Sequence, residues 1–213
     1  MIRFAVVNLK GGSQKTTSTG FLLAALHEVG LPVCGVDGDG ENLHLQKWQE
    51  QAPLPWPVIA MPVSNLHVQL PGILGDRYEA VGIDCPPMQA QKGTVASAIR
   101  WATHVVITMA PTPTDYDRLA PVLELIDESA SMRPDSRPPH FAVLLTKVNK
   151  RAASGGVYRD IIEEAGTPVL KAEVGISDVY AQAWGSPIKN ALRTPYGDAA
   201  IEIMNMGQEG DQA

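Results

Sequence analysis

The chain has 213 residues, of which 45% are hydrophobic and 19% are charged, and its formal net charge is −6. This composition is that of an ordinary globular protein with one large domain, and it excludes both a disordered chain and a chain whose whole surface attracts nucleic acid. No apolar run approaches the ~18 residues that a membrane-spanning helix requires.

Cysteine and histidine are sparse. Cys34 and Cys85 are the only cysteines, too few for a disulfide framework or an all-cysteine metal site. The histidines, at positions 27, 44, 67, 104 and 140, lack the close spacing of zinc ligands. The chain also starts directly with a strand-like segment and shows no signal-peptide pattern. We therefore expect a reduced, cytosolic protein.

Short apolar runs alternate with helix-like stretches along the chain. Helical spacing of apolar residues predicts a helix over Thr16–Val29, which Gly30 ends, and a shorter helix over His67–Leu74. The strand candidates are Arg3–Leu9, Pro32–Gly40, Pro57–Met61, Glu79–Asp84, His104–Ala110, Phe141–Val148 and Thr167–Val174, the last of which would close the sheet. Proline-rich surface loops are expected at Gln51–Val58 and Ser131–His140.

Runs that are apolar on both faces, separated by helices, indicate a sheet covered on two sides. We predict a single α/β domain over residues 1–206, with a doubly wound, mostly parallel central sheet and helices on both faces. An acidic, frayed tail would follow at 207–213. Ligands of such sheets bind at the carboxyl ends of the strands, where the glycine-rich and acidic motifs of this chain fall.

The stretch NLKGGSQKTTST, Asn8–Thr19, is a variant of the phosphate-binding pattern G-x-x-x-x-G-K-[ST]. Gly11 and Gly12 let phosphate approach the backbone, and the following helix brings its positive N-terminus. Lys15 supplies a cation and Thr16 a hydroxyl for Mg²⁺. A chance Gly-Gly turn beside a surface lysine is the less favoured interpretation, because the later acidic motifs fit the same site.

Acidic residues end two of the predicted strands. Asp84 follows a mostly apolar run, and a lone carboxylate in that position usually has an ionic partner, so a metal role is favoured over a turn cap before Pro86. Asp37 and Asp39 flank Gly38, and such close carboxylates repel unless a cation or hydrogen-bond donors compensate them. A plain Asx-turn is the alternative for this pair.

These motifs together resemble the ParA/MinD group of ATPases. KGGSQKTT is similar to the deviant Walker A motif KGGxGK[ST][ST], VDGDGEN to the VDxDPQG region, and YEAVGIDCPP to the YDxxIIDxPP region. Weaker similarity through ITMAPTPTDYDRL and GSPI extends the resemblance over most of the chain. It implies a P-loop fold that binds ATP and Mg²⁺ and hydrolyses ATP.

The resemblance also implies roles for individual residues. Lys10 would be the signature lysine that reaches the phosphates of a partner subunit, and Asp39 would orient the hydrolytic water. The residues implied to bind the nucleotide are Lys10, Gly11, Gly12, Ser13, Gln14, Lys15, Thr16 and Thr17, and those implied to bind or organise Mg²⁺ are Thr16, Asp37 and Asp84.

Gln14 departs from the family, which has glycine at that position. If the backbone there needs a positive φ, the strain is of order 1–2 kcal/mol. We therefore expect an ATPase with slow turnover. Gly40 and Glu41 replace the family's Pro-Gln, which adds a negative charge beside Asp39.

Within the group, the resemblance is to small ParA partition ATPases without an N-terminal helix-turn-helix. It implies an ATP-dependent homodimer, with a higher-order filament left open, nonspecific DNA binding, and a ParB-like centromere-binding partner on a prokaryotic nucleoid. No membrane partner is expected, because the C-terminal segment supplies no basic amphipathic helix. Candidate DNA contacts are Arg151, Lys171, Lys189 and Arg193, with solvated surface residues an equal alternative.

Two other functions stay open on this scaffold. One is a metabolic enzyme of the amide-forming synthetase type that acts on a small substrate. The other is a nucleotide-sensing regulator with little turnover.

Overall fold

The structure, a computed structural model, describes residues 1–207. The predicted tail therefore lies outside the described residues, except for Gly207. The strands are β1 (Ile2–Val7), β2 (Val33–Asp37), β3 (Val58–Ala60), β4 (Ala80–Asp84), β5 (His104–Met109), β6 (His140–Val148) and β7 (Val169–Gly175). The helices are α1 (Lys15–Glu28), α2 (His44–Gln51), α3 (Leu66–Leu74), α4 (Lys92–Trp101), α5 (Pro113–Tyr116), α6 (Leu119–Ala130), α7 (Ser154–Glu164), α8 (Asp178–Ala181) and α9 (Pro195–Asn205), with a 3₁₀ turn at Ala191–Arg193.

All seven described strands form one parallel sheet in the order β3-β2-β4-β1-β5-β6-β7. The predicted α/β class is confirmed, and β7 closes the sheet at one edge as expected. Because β1 lies at the centre, its carboxyl end is flanked by the ends of β4 and β5. The loop after β1 thus opens at the point where such sheets hold their ligands.

Each face of the sheet is covered by its own hydrophobic layer. Phe4 and Val6 of β1 pack into a layer with α1, α2 and α9, whereas Ala5 and Val7 pack into the opposite layer with α3, α4 and α6. The alternation arises because successive strand side chains point to opposite faces. Within residues 1–207, no helix combines the length and the apolar character needed to cross a bilayer.

The ends of β1 and α1 differ slightly from their predicted positions. β1 stops at Val7, because the Asn8 side chain accepts a hydrogen bond from the Lys10 amide and donates one to the Thr108 carbonyl. α1 begins at Lys15, because the preceding Gln14 is in the left-handed conformation and takes the N-cap position. Both shifts arise in the loop that carries the phosphate-binding pattern.

Gly82 in β4 is required by the ring of Phe4 on the neighbouring strand. A Cβ atom at position 82 would lie 2.4 Å from that ring, which is fully buried. We predict that Gly82→Ala lowers the free energy of unfolding by about 1–3 kcal/mol, as overpacking of a filled core does. Urea denaturation measures this change.

Gly72→Ala in α3 is the matched control, since a Cβ atom there meets nothing within 4 Å. We expect it to leave stability unchanged or to raise it by up to about 1 kcal/mol, because alanine has the higher helix propensity. Equal effects of the two substitutions would contradict the packing argument.

Candidate functional site

The loop between β1 and α1 is held by two lysine ammonium groups. Lys15 Nζ donates to the Lys10 carbonyl at 3.0 Å, from inside the loop. Lys147 Nζ, from the end of β6, donates to the Gly12 carbonyl at 2.7 Å. Two carbonyls of the loop thus accept hydrogen bonds from lysines, and the loop folds tightly beside the N-terminus of α1. The N-terminus of a helix is a position that binds anions.

Gln14 sits in this loop in a strained conformation. Its φ is 63° and its ψ is 25°, which is the left-handed region that glycine adopts without penalty. Its side-chain Oε1 is buried and has no hydrogen-bond partner among the described residues. The conditional expectation of a positive φ is therefore confirmed, and the side chain adds an unpaired acceptor to the strain.

Two carboxylates lie side by side at the carboxyl ends of β2 and β4. The strand register pairs Asp37 with Asp84, and their exposed fractions are 0% and 1%. Like charges in adjacent buried positions disfavour ionisation. Burial, and secondarily the charge of Asp37, raises the pKa of Asp84 to about 7. Burial is also the main cause that raises the pKa of Asp37.

Asp84 presents one satisfied and one unsatisfied oxygen. Thr16 Oγ1 donates to its Oδ2 at 2.6 Å, whereas its Oδ1 is buried without a hydrogen-bond partner in the described chain. A hydroxyl and a carboxylate are hard oxygen ligands of the kind that Mg²⁺ takes together with water and phosphate oxygens. The orphaned oxygen and this donor set fit a Mg²⁺ ion that is completed by a bound phosphate.

Asp37 and Asp39 are engaged in ordering the loop after β2. Asp37 accepts hydrogen bonds from the Asp39 and Gln46 amides, at 3.0 Å each. Asp39 accepts from the Glu41 and Asn42 amides and from the Asn42 side chain. Both residues therefore form Asx-type turns, the alternative that their sequence left open. Asp39 also borders the cavity described below.

The ammonium of Lys15 lies close to these acids. The side chain is largely buried, and burial lowers its pKa, while the charge of Asp84 opposes that shift. A cation in such surroundings has lost water that an incoming anion can replace. The arrangement is therefore suited to hold a phosphate between Lys15 and the acidic strand ends.

One cavity of about 490 Å³ opens over the loop and the start of α1. Its volume is in the range of small-molecule and cofactor sites. The predicted residues that line it are Gly11, Gly12, Gln14, Lys15, Thr16, Thr17 and Asp39. Lys10 is exposed at the loop, and Ser13 Oγ donates to its carbonyl at 3.4 Å.

Several cavity residues were not assigned from the sequence. Lys147 lies within the predicted strand Phe141–Val148, but its contact with Gly12 depends on the sheet order. Its φ of 53° and the irregular pairing of β6 with β7 near it are signals that only the structure gives. The remaining unassigned lining residues are Asn42, His44, Cys85, Pro87, Tyr180, Ala181 and Trp184.

The four candidate DNA contacts are exposed but lie on separate segments. Arg151 follows β6, Lys171 is on β7, Lys189 is in the loop before the 3₁₀ turn, and Arg193 is in that turn. The backbone amide of Lys171 is bound by Glu202 of α9, at 2.7 Å. Among residues 1–207, no three histidine, cysteine or acidic side chains form a ready-made metal site.

The parallel sheet, the loop after β1 and the acid at the end of β4 define a P-loop NTPase type of α/β protein. The chain belongs to the CobQ/CobB/MinD/ParA nucleotide binding domain family, whose profile matches residues 4–183. The ParA/MinD resemblance noted from the sequence is thereby confirmed.

Individual proteins of different function are similar to this chain. It is 28% identical over 185 residues to maintenance of carboxysome distribution protein A (McdA) of Halothiobacillus neapolitanus, covering 84% of this chain and 82% of that protein. Cobyrinic acid a,c-diamide synthase from Mycobacterium smegmatis, solved with an ATP analogue and magnesium, has a TM-score of 0.76 at 21% identity, covering 99% of this chain and 97% of the other. A McdA variant from Cyanothece, solved with ATP, has a TM-score of 0.73 at 16% identity, covering 98% of each chain. The two structures support the fold.

The raised pKa of Asp84 predicts a pH-dependent stability in the absence of ligand. A carboxyl whose pKa rises on folding stabilises the folded state while protonated, so its contribution falls as pH rises from about 4 to about 7. We predict that Asp84→Asn is about 1–3 kcal/mol more stable than the natural chain at about pH 8. At about pH 3, where this carboxyl is protonated in both the folded and the unfolded state, the two should agree within roughly 0.5 kcal/mol. Urea unfolding at both pH values measures this.

Asp160→Asn makes the same chemical change at an exposed position of α7. We expect it to shift stability by less than about 0.5 kcal/mol at either pH, as exposed substitutions do. A loss of stability in Asp84→Asn that is equal at both pH values would show that ionisation of Asp84 does not destabilise the folded state.

Proposed function

We propose that this protein is an ATP- and Mg²⁺-binding ATPase of the ParA/MinD type that positions an intracellular cargo by forming a homodimer on ATP. The observation that carries the proposal is the hydrogen bond from the Thr16 hydroxyl to Asp84 at the end of β4, next to the largely buried ammonium of Lys15. The ATPase domain would span residues 1–206.

The loop supplies the phosphate contacts. Backbone amides from Gly11 to Thr16 and the N-terminus of α1 would bind the triphosphate, with Ser13 and Thr17 at the borders of this site. Lys15 would exchange its bond to the Lys10 carbonyl for contacts with the β- and γ-phosphates. The largely buried position of Lys15 supports this, since its charge acts with little screening by water.

The acidic strand ends supply the metal site. Thr16 and Asp84 would hold Mg²⁺ and its water ligands, and Asp37 would keep the loop after β2 in place. Mg²⁺ held there would supply positive charge against the charge that develops on the phosphates, and would help to place the attacking water. Asp39 borders the cavity with its carboxylate fixed by Asn42, which suits it to orient that water.

Dimerisation would make DNA affinity depend on the nucleotide. Lys10 is exposed beside the site and would reach the phosphates of a second subunit. Two copies double a weak basic patch, for which Arg151, Lys171, Lys189 and Arg193 are the candidates. We expect the dimer to bind, without sequence preference, the DNA of a bacterial nucleoid in the cytoplasm.

The cargo is proposed from the relatives. The similarity to McdA, whose name assigns it to carboxysome distribution, supports a positioning role for which a protein assembly can be the cargo. The motif resemblance to small partition ATPases supports a replicon bound by a ParB-like protein. In both cases a cargo-bound partner would stimulate hydrolysis and release the dimer from DNA.

A second candidate is an amide-forming synthetase. It is favoured by the fold similarity to cobyrinic acid a,c-diamide synthase and by a cavity that extends past the loop to Trp184. This function requires ATP turnover that depends on a small carboxylic acid and an amine donor, and it requires no DNA. A measurement of DNA binding with and without ATP, described below, therefore separates the two candidates.

The proposal predicts lysine-specific effects on binding and assembly. By calorimetry, Lys15→Ala should lose at least about 100-fold in affinity for MgATP, because a charge-assisted phosphate contact is removed. Lys10→Ala should keep ATP binding but remain monomeric in sedimentation with ATP. Lys92→Ala, whose exposed side chain pairs with Glu128 on α6, is the control and should change neither property.

DNA binding should appear with ATP, be absent with ADP or without nucleotide, and fall steeply as salt rises. Nucleotide-independent DNA binding, or none under any condition, would contradict the positioning role. An absence of Lys15-dependent heat from ATP would contradict the ATPase itself.

The strain at Gln14 predicts slow turnover that one substitution relieves. Gln14→Gly should raise the affinity for MgATP and the rate of phosphate release, each by roughly 3–10-fold, because it removes a side chain from the loop and lets the backbone adjust to the phosphates without strain. A nucleotide-binding assay and a phosphate-release assay measure the two effects.

Gln14→Ala is the matched variant, since it keeps the strained Cβ but removes the buried amide. If it equals Gln14→Gly, the amide rather than the backbone obstructs the site. If both variants equal the natural chain, the obstruction at this position does not exist.

A further inference from the structure

Lys147 is an exposed residue of β6 that lies between two buried ones, Thr146 and Val148. Val143 and Leu145 of this strand belong to the layer of α3, α4 and α6. In a regular strand the residue two positions after Leu145, which is Lys147, would face the same layer. Val148 takes that place instead, and the pairing of β6 with β7 is irregular between Leu145 and Val148.

The backbone of Lys147 makes this change of face. Its φ is 53°, in the left-handed region that is unfavourable for residues other than glycine. An irregularity of this kind in a strand re-aims a side chain, and the strain persists only where the surroundings fix it. The strain at Lys147 thus accompanies a side chain that is directed away from the core.

The re-aimed side chain reaches the loop after β1. Lys147 Nζ donates to the Gly12 carbonyl at 2.7 Å, and both residues line the cavity over the loop. In the described chain, no other hydrogen bond to residues 10–14 comes from outside the segment 8–28. Lys147 therefore connects the middle of the loop to the far side of the sheet.

The contact fixes the direction of one amide in the loop. A trans peptide is planar and carries its C=O and its N–H on opposite sides. When Lys147 holds the Gly12 carbonyl on one side, the N–H of Ser13 points to the other side. This N–H is one of the backbone donors that the proposed site offers to phosphate. Without the lysine the peptide is free to rotate, and the donor loses its alignment.

We propose that Lys147 is a positioning residue for phosphate, whose ammonium fixes the peptide between Gly12 and Ser13 so that the loop is preformed for a triphosphate. This inference rests on the proposed ATP site. Lys147 acts through the loop and needs no contact with the substrate. An arginine can replace it as a donor to the carbonyl, whereas a methionine cannot.

The affinity for phosphate tests this role. By calorimetry, Lys147→Met should weaken binding of MgATP and of magnesium tripolyphosphate equally, by about 3- to 10-fold, because a hydrogen bond that shapes the phosphate contacts is lost. Lys147→Arg should stay within about 2-fold of the natural chain. In phosphate-release assays, Lys147→Met should raise KM for ATP and leave kcat unchanged, because the lost binding is shared by ground state and transition state.

Lys150→Met is the matched control. Lys150 is an exposed lysine shortly after β6, so this variant also removes a positive charge near the cavity, but it breaks no hydrogen bond to the loop. Salt screens the charge of an exposed side chain, and the affinity for either ligand should change by less than about 2-fold.

Lys147→Gly separates positioning from a merely structural role. Glycine adopts a φ of 53° without penalty, so this variant should unfold at the same urea concentration as the natural chain or at a higher one. It should nevertheless lose as much affinity for both ligands as Lys147→Met. A residue that only stabilises the fold would lose stability and affinity together.

Each outcome decides one question. If Lys147→Met binds both ligands as the natural chain does, or if Lys147→Arg or Lys150→Met loses as much affinity, the positioning role is wrong while the phosphate site stands. A loss confined to kcat would place Lys147 on the reacting phosphate and overturn the proposal, as would a loss of both stability and affinity in Lys147→Gly. If the natural chain binds neither ligand, or if Lys15→Ala binds both as tightly, the proposed function itself fails and this inference with it.

Discussion

Asp37 and Asp84 end adjacent parallel strands in register, and both are buried. Two carboxylates cannot both ionise at low cost in such a position, because burial and mutual repulsion both favour the neutral form. The surrounding groups reduce this cost: backbone amides bind Asp37, while the hydroxyl of Thr16 and the charge of Lys15 act on Asp84. One oxygen of Asp84 is still unpaired. This unpaired oxygen and the hydroxyl of Thr16 form a donor set that fits a small cation such as Mg²⁺.

The loop after β1 contains a strained residue and is held in shape by a hydrogen bond from a residue distant in sequence. Gln14 takes a left-handed conformation that costs energy, and Lys147 does the same at the end of β6. Lys147 also bonds the Gly12 carbonyl across 135 positions of sequence. Strained residues persist only where their surroundings fix them, and they cluster at functional sites. The two strained residues here lie on opposite sides of one short loop, so its shape depends on the sheet as well as on its glycines.

Trp184, after α8, lines the same cavity as Lys15. Its indole is fixed by the His44 carbonyl at the start of α2. Because His44 follows the loop of Asp39 and Asn42, that loop and the Trp184 side of the cavity share one structural support.

The sequence alone determined the class of fold, the loop and the acidic strand ends. Continuous apolar runs, helical spacing of apolar residues and glycine-rich loops are local patterns, and each can be recognised within a single segment. It also indicated the strain at Gln14, because a missing glycine can be recognised within a single motif. Tertiary structure alone decided that Asp37 lies beside Asp84. It also decided that Lys147 donates to the Gly12 carbonyl and that Trp184 donates to the His44 carbonyl. These pairs depend on the order of strands in the sheet and on loops that return from its far edge. The members of these pairs are 47, 135 and 140 positions apart and are brought together by the packing of whole elements, which no local pattern encodes.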